Sequence, residues 1–313
     1  MGMLVEGTWK TGAFPKDDEG RFVRSSTTFR GRISEGGEHP PEAGRYHLYI
    51  SWACPWAHRT AILRKTKGLE DAISLSSVDA FMGADGWTFS GDFPDPLFGT
   101  SHLRDVYTKA DPEYTGRVTT PVLWDKETDS IVNNESREII RMLDHEFGNL
   151  SNDTDFCPPD LEDEVERTLD EIYEPINNGV YRSGFAQTQS AYEEAVGELF
   201  DALDHWEDVL GNRRYLCGDR ITEADWAMFT TLVRFDAVYH GHFKCNVRRI
   251  VDYPNLWGYV RDLYQYPGVA DTVLLGEIKT HYYSSHESVN PTRIVPVGPE
   301  IDFSTPHNRE KLG

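Results

Sequence analysis

One junction constrains this chain more than any other. Tyr46-His47-Leu48-Tyr49-Ile50-Ser51 alternates and has strand composition, and it runs straight into Trp52-Ala53-Cys54-Pro55-Trp56-Ala57-His58-Arg59. Pro55 to Lys67 suits a helix, with the proline in the first turn, where its missing N–H costs nothing. Ala72 to Val78 reads as a second strand. The result is a strand–helix–strand unit with Cys54 at the helix entrance.

The rest of the chain arranges itself around that unit. Residues 80–117 form an insertion rich in Gly, Pro and aromatics. Thr120-Pro121-Val122-Leu123-Trp124-Asp125 is a short strand that starts on a proline and pairs, across Asp125 to Asp129, with Ser130-Ile131-Val132. Asn134-Glu135-Ser136 opens a helix with apolar positions at Ile139, Ile140, Leu143 and Phe147, ended by Gly148. Residues 149–158 read as a polar linker. Beyond it, Tyr192, Val196, Leu199, Leu203, Trp206 and Leu210 recur at gaps of three and four, the seam of an amphipathic helix. Thr222-Glu223-Ala224-Asp225 is a capping box ahead of a buried helix beginning near Trp226. The order βαβ, ββα, then helices predicts an α/β domain over 45–148 followed by an all-α bundle over 159–275. An irregular extension is expected over 1–44, and an irregular tail over 276–313.

Composition narrows the function classes. A chain of 313 residues fits about two domains. Its net charge of −21 weighs against a nucleic-acid partner, since phosphate binding needs a basic surface. No stretch approaches the ~20 apolar residues of a membrane span, and Met1-Gly2-Met3-Leu4-Val5-Glu6 lacks the layout of a signal peptide. A cytoplasmic location is therefore expected. Nine lysines against 22 arginines, on an acidic background, are compatible with a salt-adapted cytoplasm.

The four cysteines, Cys54, Cys157, Cys217 and Cys245, are widely spaced, as free thiols of a reducing compartment would be. A helix N-terminus carries unpaired N–H groups and partial positive charge, which favour a thiolate at Cys54, and the thiolate is the nucleophile. The competing reading is a buried, inert cysteine. Ala57 occupies the place where a dithiol oxidoreductase has its second cysteine, so the resolving thiol must come from outside. Cys157, Cys217 and Cys245 read as structural. Cys54 and His58 have metal-ligand spacing, but no further ligands cluster near them, and no metal is expected.

The strand ending in Cys54-Pro55, then Thr120-Pro121-Val122-Leu123, then Glu135-Ser136 resembles the thioredoxin-like domain of glutathione transferases. More specifically, Trp52 to Arg59, Arg117 to Asp125, Ile131 to Ser136, Asn177 to Ala186 and the tail from Ile278 to Tyr283 and on to Pro296 resemble the glutathionyl-hydroquinone reductases, or Xi-class glutathione transferases. The likeness runs from about residue 5 to 300. It implies a thioredoxin-like N-terminal domain plus an all-helical C-terminal bundle, a homodimer, and a tail that packs toward the active site. It also implies a reaction in which Cys54 attacks the sulfur of a glutathionyl-hydroquinone, releases the hydroquinone, and is freed by a second thiol.

Residue roles follow from the same resemblance. Pro121 is expected cis, leaving Thr120 backbone groups to pair with the tripeptide; the alternative is an ordinary strand-initiating proline. Ser136 is expected to hold the γ-glutamyl carboxylate and Glu135 the amine; the alternative is a simple N-cap. Trp87 and Arg117 match positions lining the tripeptide, though Trp87 also suits a packed loop aromatic. Tyr181, in a turn-like setting, and Tyr282 or Tyr283 are expected to bond or protonate the leaving quinol. The co-substrate is glutathione or, in a salt-adapted organism, γ-glutamylcysteine. An omega-type thiol transferase and a non-catalytic scaffold are the competing functions.

Overall fold

The computed structural model describes residues 2–12 and 15–312; Met1, which opens the stretch tested for a leader, lies outside them. Two compact units emerge: Met1–Ala13 with Ser25–Thr154, and Phe14–Arg24 with Asp155–Gly313.

The first unit contains β1 (Gly2–Val5), β2 (Thr8–Thr11), β3 (Tyr46–Ile50), α1 (Pro55–Thr66), β4 (Ile73–Ser77), α2 (Leu103–Ala110), β5 (Val122–Asp125), β6 (Ser130–Asn133) and α3 (Ser136–His145). β4, β3, β5 and β6 lie side by side in one sheet. β3 and β4 are parallel, as a helical crossover requires, while β5 runs antiparallel to both β3 and β6. β3 is buried along its whole length. α1 is buried nearly all round because it packs against both β3 and α3. Its last turn carries Arg64 and Lys65, which complement the negative end of the helix dipole.

One expectation changes here. The first residues are not irregular: β1 and β2 form a hairpin whose two-residue turn, Glu6 and Gly7, has φ of 49° and 69°. A turn with both central residues at positive φ suits a hairpin, but Glu-Gly is not the Asn-Gly or Asp-Gly that advertises one. The insertion over 80–117 contains regular structure. It supplies α2, and Leu4 trades backbone hydrogen bonds with Gly116 (2.9 and 3.0 Å), joining the hairpin to it.

The second unit contains α4 (Glu162–Ile172), α5 (Gly179–Phe185), α6 (Gln189–Leu210), α7 (Glu223–Arg234), α8 (His240–His242), α9 (Pro254–Tyr264) and α10 (Leu275–Ser285). Two π-helical turns, Tyr173–Asn177 and Phe235–Tyr239, lie between α4 and α5 and between α7 and α8. α6 buries Ala191, Ala195, Leu199, Leu203, Trp206 and Leu210, so the seam begins on the alanines, with Tyr192 and Val196 half-buried beside it. The capping box forms: the Thr222 N–H and hydroxyl both donate to Asp225 (2.7 and 2.9 Å). Burial pushes the Asp225 carboxyl up to about 6 against these donors.

Residues 15–24 belong to this helical unit, tied by Gln187 N–H to the Gly20 carbonyl and by Arg21 to Glu194. The tail corrects a further expectation. Leu275–Ser285 is helical rather than irregular from 276. Farther on, Arg261 of α9 and Gln265, the residue that caps its end, bond to 303–306, and Arg309 donates to carbonyls at the end of α6 and just beyond it.

Candidate functional site

In the first unit, the chain leaves β3 at Ile50 and turns so that the Cys54 N–H bonds the Ser51 carbonyl at 3.0 Å. Cys54 becomes the N-cap of α1 with φ −75° and ψ 120°, and Pro55 takes the first helical position. Its side chain makes no capping bond to the helix. The sulfur instead faces the carbonyl of Thr120 at 3.5 Å. Cys54 is half-buried, whereas Cys157, Cys217 and Cys245 are buried, and all four are free thiols. Burial pushes the Cys217 thiol up to about 11 and the Cys245 thiol up to about 12. These two are poor nucleophiles at neutral pH, as a structural role requires.

The Thr120–Pro121 peptide is cis, as expected. Thr120 and Pro121 are both buried, and the Thr120 hydroxyl has no hydrogen-bond partner. Glu135, not Ser136, is the N-cap of α3: its Oε1 accepts from the Arg137 N–H at 3.2 Å. Its Oε2 accepts from the Thr27 hydroxyl at 3.1 Å. The Ser136 hydroxyl is buried and has no partner, at the positive end of a ten-residue helix. An unsatisfied buried hydroxyl costs free energy that an anionic ligand would restore.

Tyr107 of α2 ties these pieces together, a role invisible in the sequence. Its hydroxyl donates to the Thr119 carbonyl (2.9 Å) and accepts from the Asn134 amide (3.1 Å), one residue before each of Thr120 and Glu135. Burial raises this phenol to about 12, so it stays protonated. The insertion thus holds the lead-ins to β5 and α3 in place. Trp87 packs in the hydrophobic cluster with Val106, Tyr107 and Val118 and is 8% exposed. Arg117 is half-buried, and its carbonyl accepts from the Tyr114 hydroxyl at 3.1 Å.

In the helical unit, Tyr181 sits in α5 rather than in a turn. Gly184, one turn on, is required for close approach: a Cβ there would lie 2.2 Å from the Phe243 ring. The Tyr181 and Tyr282 hydroxyls bond each other, and Tyr239 reaches Tyr282 at 3.0 Å. Tyr283 faces elsewhere, donating to the Ala237 carbonyl at 3.3 Å. The structure thus unites Tyr181 with Tyr282 and leaves Tyr283 out of that bond. Burial raises the Tyr282 phenol well above 10, with its two phenol neighbours adding to the effect.

Sequence reasoning passed over Tyr239, His242, Phe243 and His286, which pack around the same rings. It also passed over Arg24, whose guanidinium lies over the Tyr181 ring at 5.0 Å and bonds Asn178 at 2.9 Å. No helix among the described residues is long and apolar enough to cross a membrane.

A cysteine capping the helix after β3, a cis proline opening β5 and an anion-ready helix start, with an all-helical unit following, define the glutathione transferase architecture. The models of the glutathione S-transferase N-terminal and C-terminal domains match residues 53–146 and 189–262. The chain is 54% identical to the glutathionyl-hydroquinone reductase PcpF of Sphingobium chlorophenolicum, over 96% of each chain. It is 48% identical to the glutathionyl-hydroquinone reductase YqjG of Escherichia coli, over 99% of each. A solved Xi-class transferase from Natrialba magadii superposes with a TM-score of 0.95 at 54% identity, over 100% of this chain and 97% of that one. The glutathione-bound structure of YqjG superposes at 0.90, with 46% identity, over 98% of this chain and 99% of that one. The chain belongs to the glutathionyl-hydroquinone reductases, the Xi class of the glutathione transferase superfamily.

Proposed function

We propose that this protein reduces glutathionyl-hydroquinones with Cys54 as its nucleophile. The Cys54 thiolate attacks the thioether sulfur. A sulfur–sulfur bond forms, the sulfur–carbon bond breaks, and its electron pair stays on the aromatic carbon, which takes a proton and leaves as hydroquinone. The two sulfurs have been oxidised to a disulfide and the carbon reduced. A second thiol then attacks the mixed disulfide, giving glutathione disulfide and free Cys54. One cysteine suffices, which agrees with Ala57 at the third position of α1.

The observation that carries this reading is the half-buried Cys54 sulfur at the start of α1, beside the Thr120 carbonyl. Thr120 backbone groups pair with the peptide of the thiol, and Ser136 with the start of α3 takes the γ-glutamyl carboxylate while Glu135 takes the amine. Trp87 and Arg117 line the tripeptide. γ-Glutamylcysteine carries the same γ-glutamyl end and would be held by the same groups. Tyr181 gives the proton to the leaving carbon, Tyr282 supports it, and Tyr283 completes the quinol side. The protein acts as a homodimer in the cytoplasm, without a metal.

The test is steady-state reduction of a glutathionyl-hydroquinone by free glutathione. Wild type should release hydroquinone and glutathione disulfide in equal amounts, and Cys54→Ala should lose at least about 10³-fold in kcat, the order expected when a covalent nucleophile is removed. Turnover retained by Cys54→Ala would overturn the reading.

A further inference from the structure

Three phenol oxygens in the helical unit form a row. Tyr239 is fully buried, Tyr282 is 1% exposed and Tyr181 is 8% exposed. The Tyr282 hydroxyl lies in the middle, bonded to both neighbours. A phenol has one proton, so Tyr282 donates to at most one neighbour and accepts from the other. Where Tyr282 donates to one neighbour, the other neighbour must donate to it.

Several features hold Tyr239 in place. It ends the π turn Phe235–Tyr239, and such turns are rare and concentrate at functional positions. Its ring stacks on Phe243 at 5.6 Å and 11°, and meets Tyr282 edge-on at 5.5 Å and 86°. At the other end of the row, the Arg24 guanidinium over the Tyr181 ring marks where negative charge is tolerated.

We infer that Tyr239 is a positioning residue for the reductive step: its hydroxyl donates to Tyr282, which donates to Tyr181, and the row stabilises the Tyr181 oxygen as its proton passes to the hydroquinone carbon. The inference rests on the function proposed above. When the sulfur–carbon bond breaks, the Tyr181 proton moves to the ring carbon, and the phenolate left behind accepts the hydrogen bond from Tyr282. Solvent returns the proton afterwards. Linked hydrogen bonds polarise one another, so the buried end of the row affects a charge it never touches.

Two substrates separate this role from a merely structural one. Reduction of a glutathionyl-hydroquinone needs a proton on carbon. Reduction of the mixed disulfide of glutathione and 2-mercaptoethanol needs only the thiol, because its leaving group is a thiolate. Tyr239→Phe keeps the ring and removes the hydroxyl. It should lower kcat on the hydroquinone conjugate about tenfold with KM unchanged, the worth of one hydrogen bond, and leave the disulfide rate within twofold. In a Tyr282→Phe background the same substitution should cause no further loss, since its link to Tyr181 is gone. Equal losses on both substrates, the full loss repeated in the Tyr282→Phe background, or no loss at all would each overturn the inference. A wild-type protein that reduces the disulfide but not the conjugate would overturn the functional reading itself.

Discussion

Ser136 shows most plainly what a single side chain contributes. Its hydroxyl is buried without a partner while Glu135 caps the same helix, so the two halves of the Glu-Ser pair do different work. The sequence motif made both residues candidates but did not separate cap from ligand, because Ser is the better N-cap by type and only the fold gives that position to Glu135. The separation depends on Thr27, more than a hundred residues away, which draws the other Glu135 oxygen aside. If Ser136 holds the thiol's carboxylate, Ser136→Ala should raise KM for glutathione about tenfold at nearly unchanged kcat, the value of a hydrogen bond to a charged group. An unchanged KM would assign the hydroxyl no part in binding. Cys54 itself was legible because helix position, proline and a missing second cysteine are all local facts. Tyr239 was not, because a lone tyrosine in an apolar stretch carries no signal until Tyr282 folds against it.

At the scale of elements, β3, α1, β4, β5, β6 and α3 appear where periodicity and punctuation put them, within a residue or two. Elements that depend on distant partners were hidden. α10 contains Thr280, His281, Tyr282 and Tyr283, a run without strong helical character, and it is held by the π turn it packs against. The contact between α8 and the residue that caps the end of α10 also carries a consequence for stability. His242 and His286 face each other at 3.1 Å, both buried. Burial depresses the His242 imidazole to about 4 and the His286 imidazole well below its ordinary value, with Lys244 and His281 adding to the first and His281 and His242 to the second. An unfolded chain protonates these residues from about 6.5 downward, while the folded one resists. Their contribution is complete above pH 6.5 and is lost as pH falls toward 4. The thermal midpoint of the full chain should therefore decline across that window, and His242→Phe should flatten the decline. A midpoint constant from pH 6.5 to 4.5 would contradict this.

For the whole molecule, the net charge of −21 sits oddly with a ligand that is itself anionic. General steering would repel glutathione, so on the proposed function binding comes from local groups such as the start of α3, the Ser136 hydroxyl and Arg117. The proposed reaction turns on a covalent event at one sulfur. The most direct measurement is the mass of the protein after it meets one equivalent of glutathionyl-hydroquinone with no free thiol present. The expected result is one equivalent of hydroquinone released and one glutathione carried, reducibly, on the peptide containing Cys54. Hydroquinone released without that adduct, or the adduct on Cys157, Cys217 or Cys245, would contradict it.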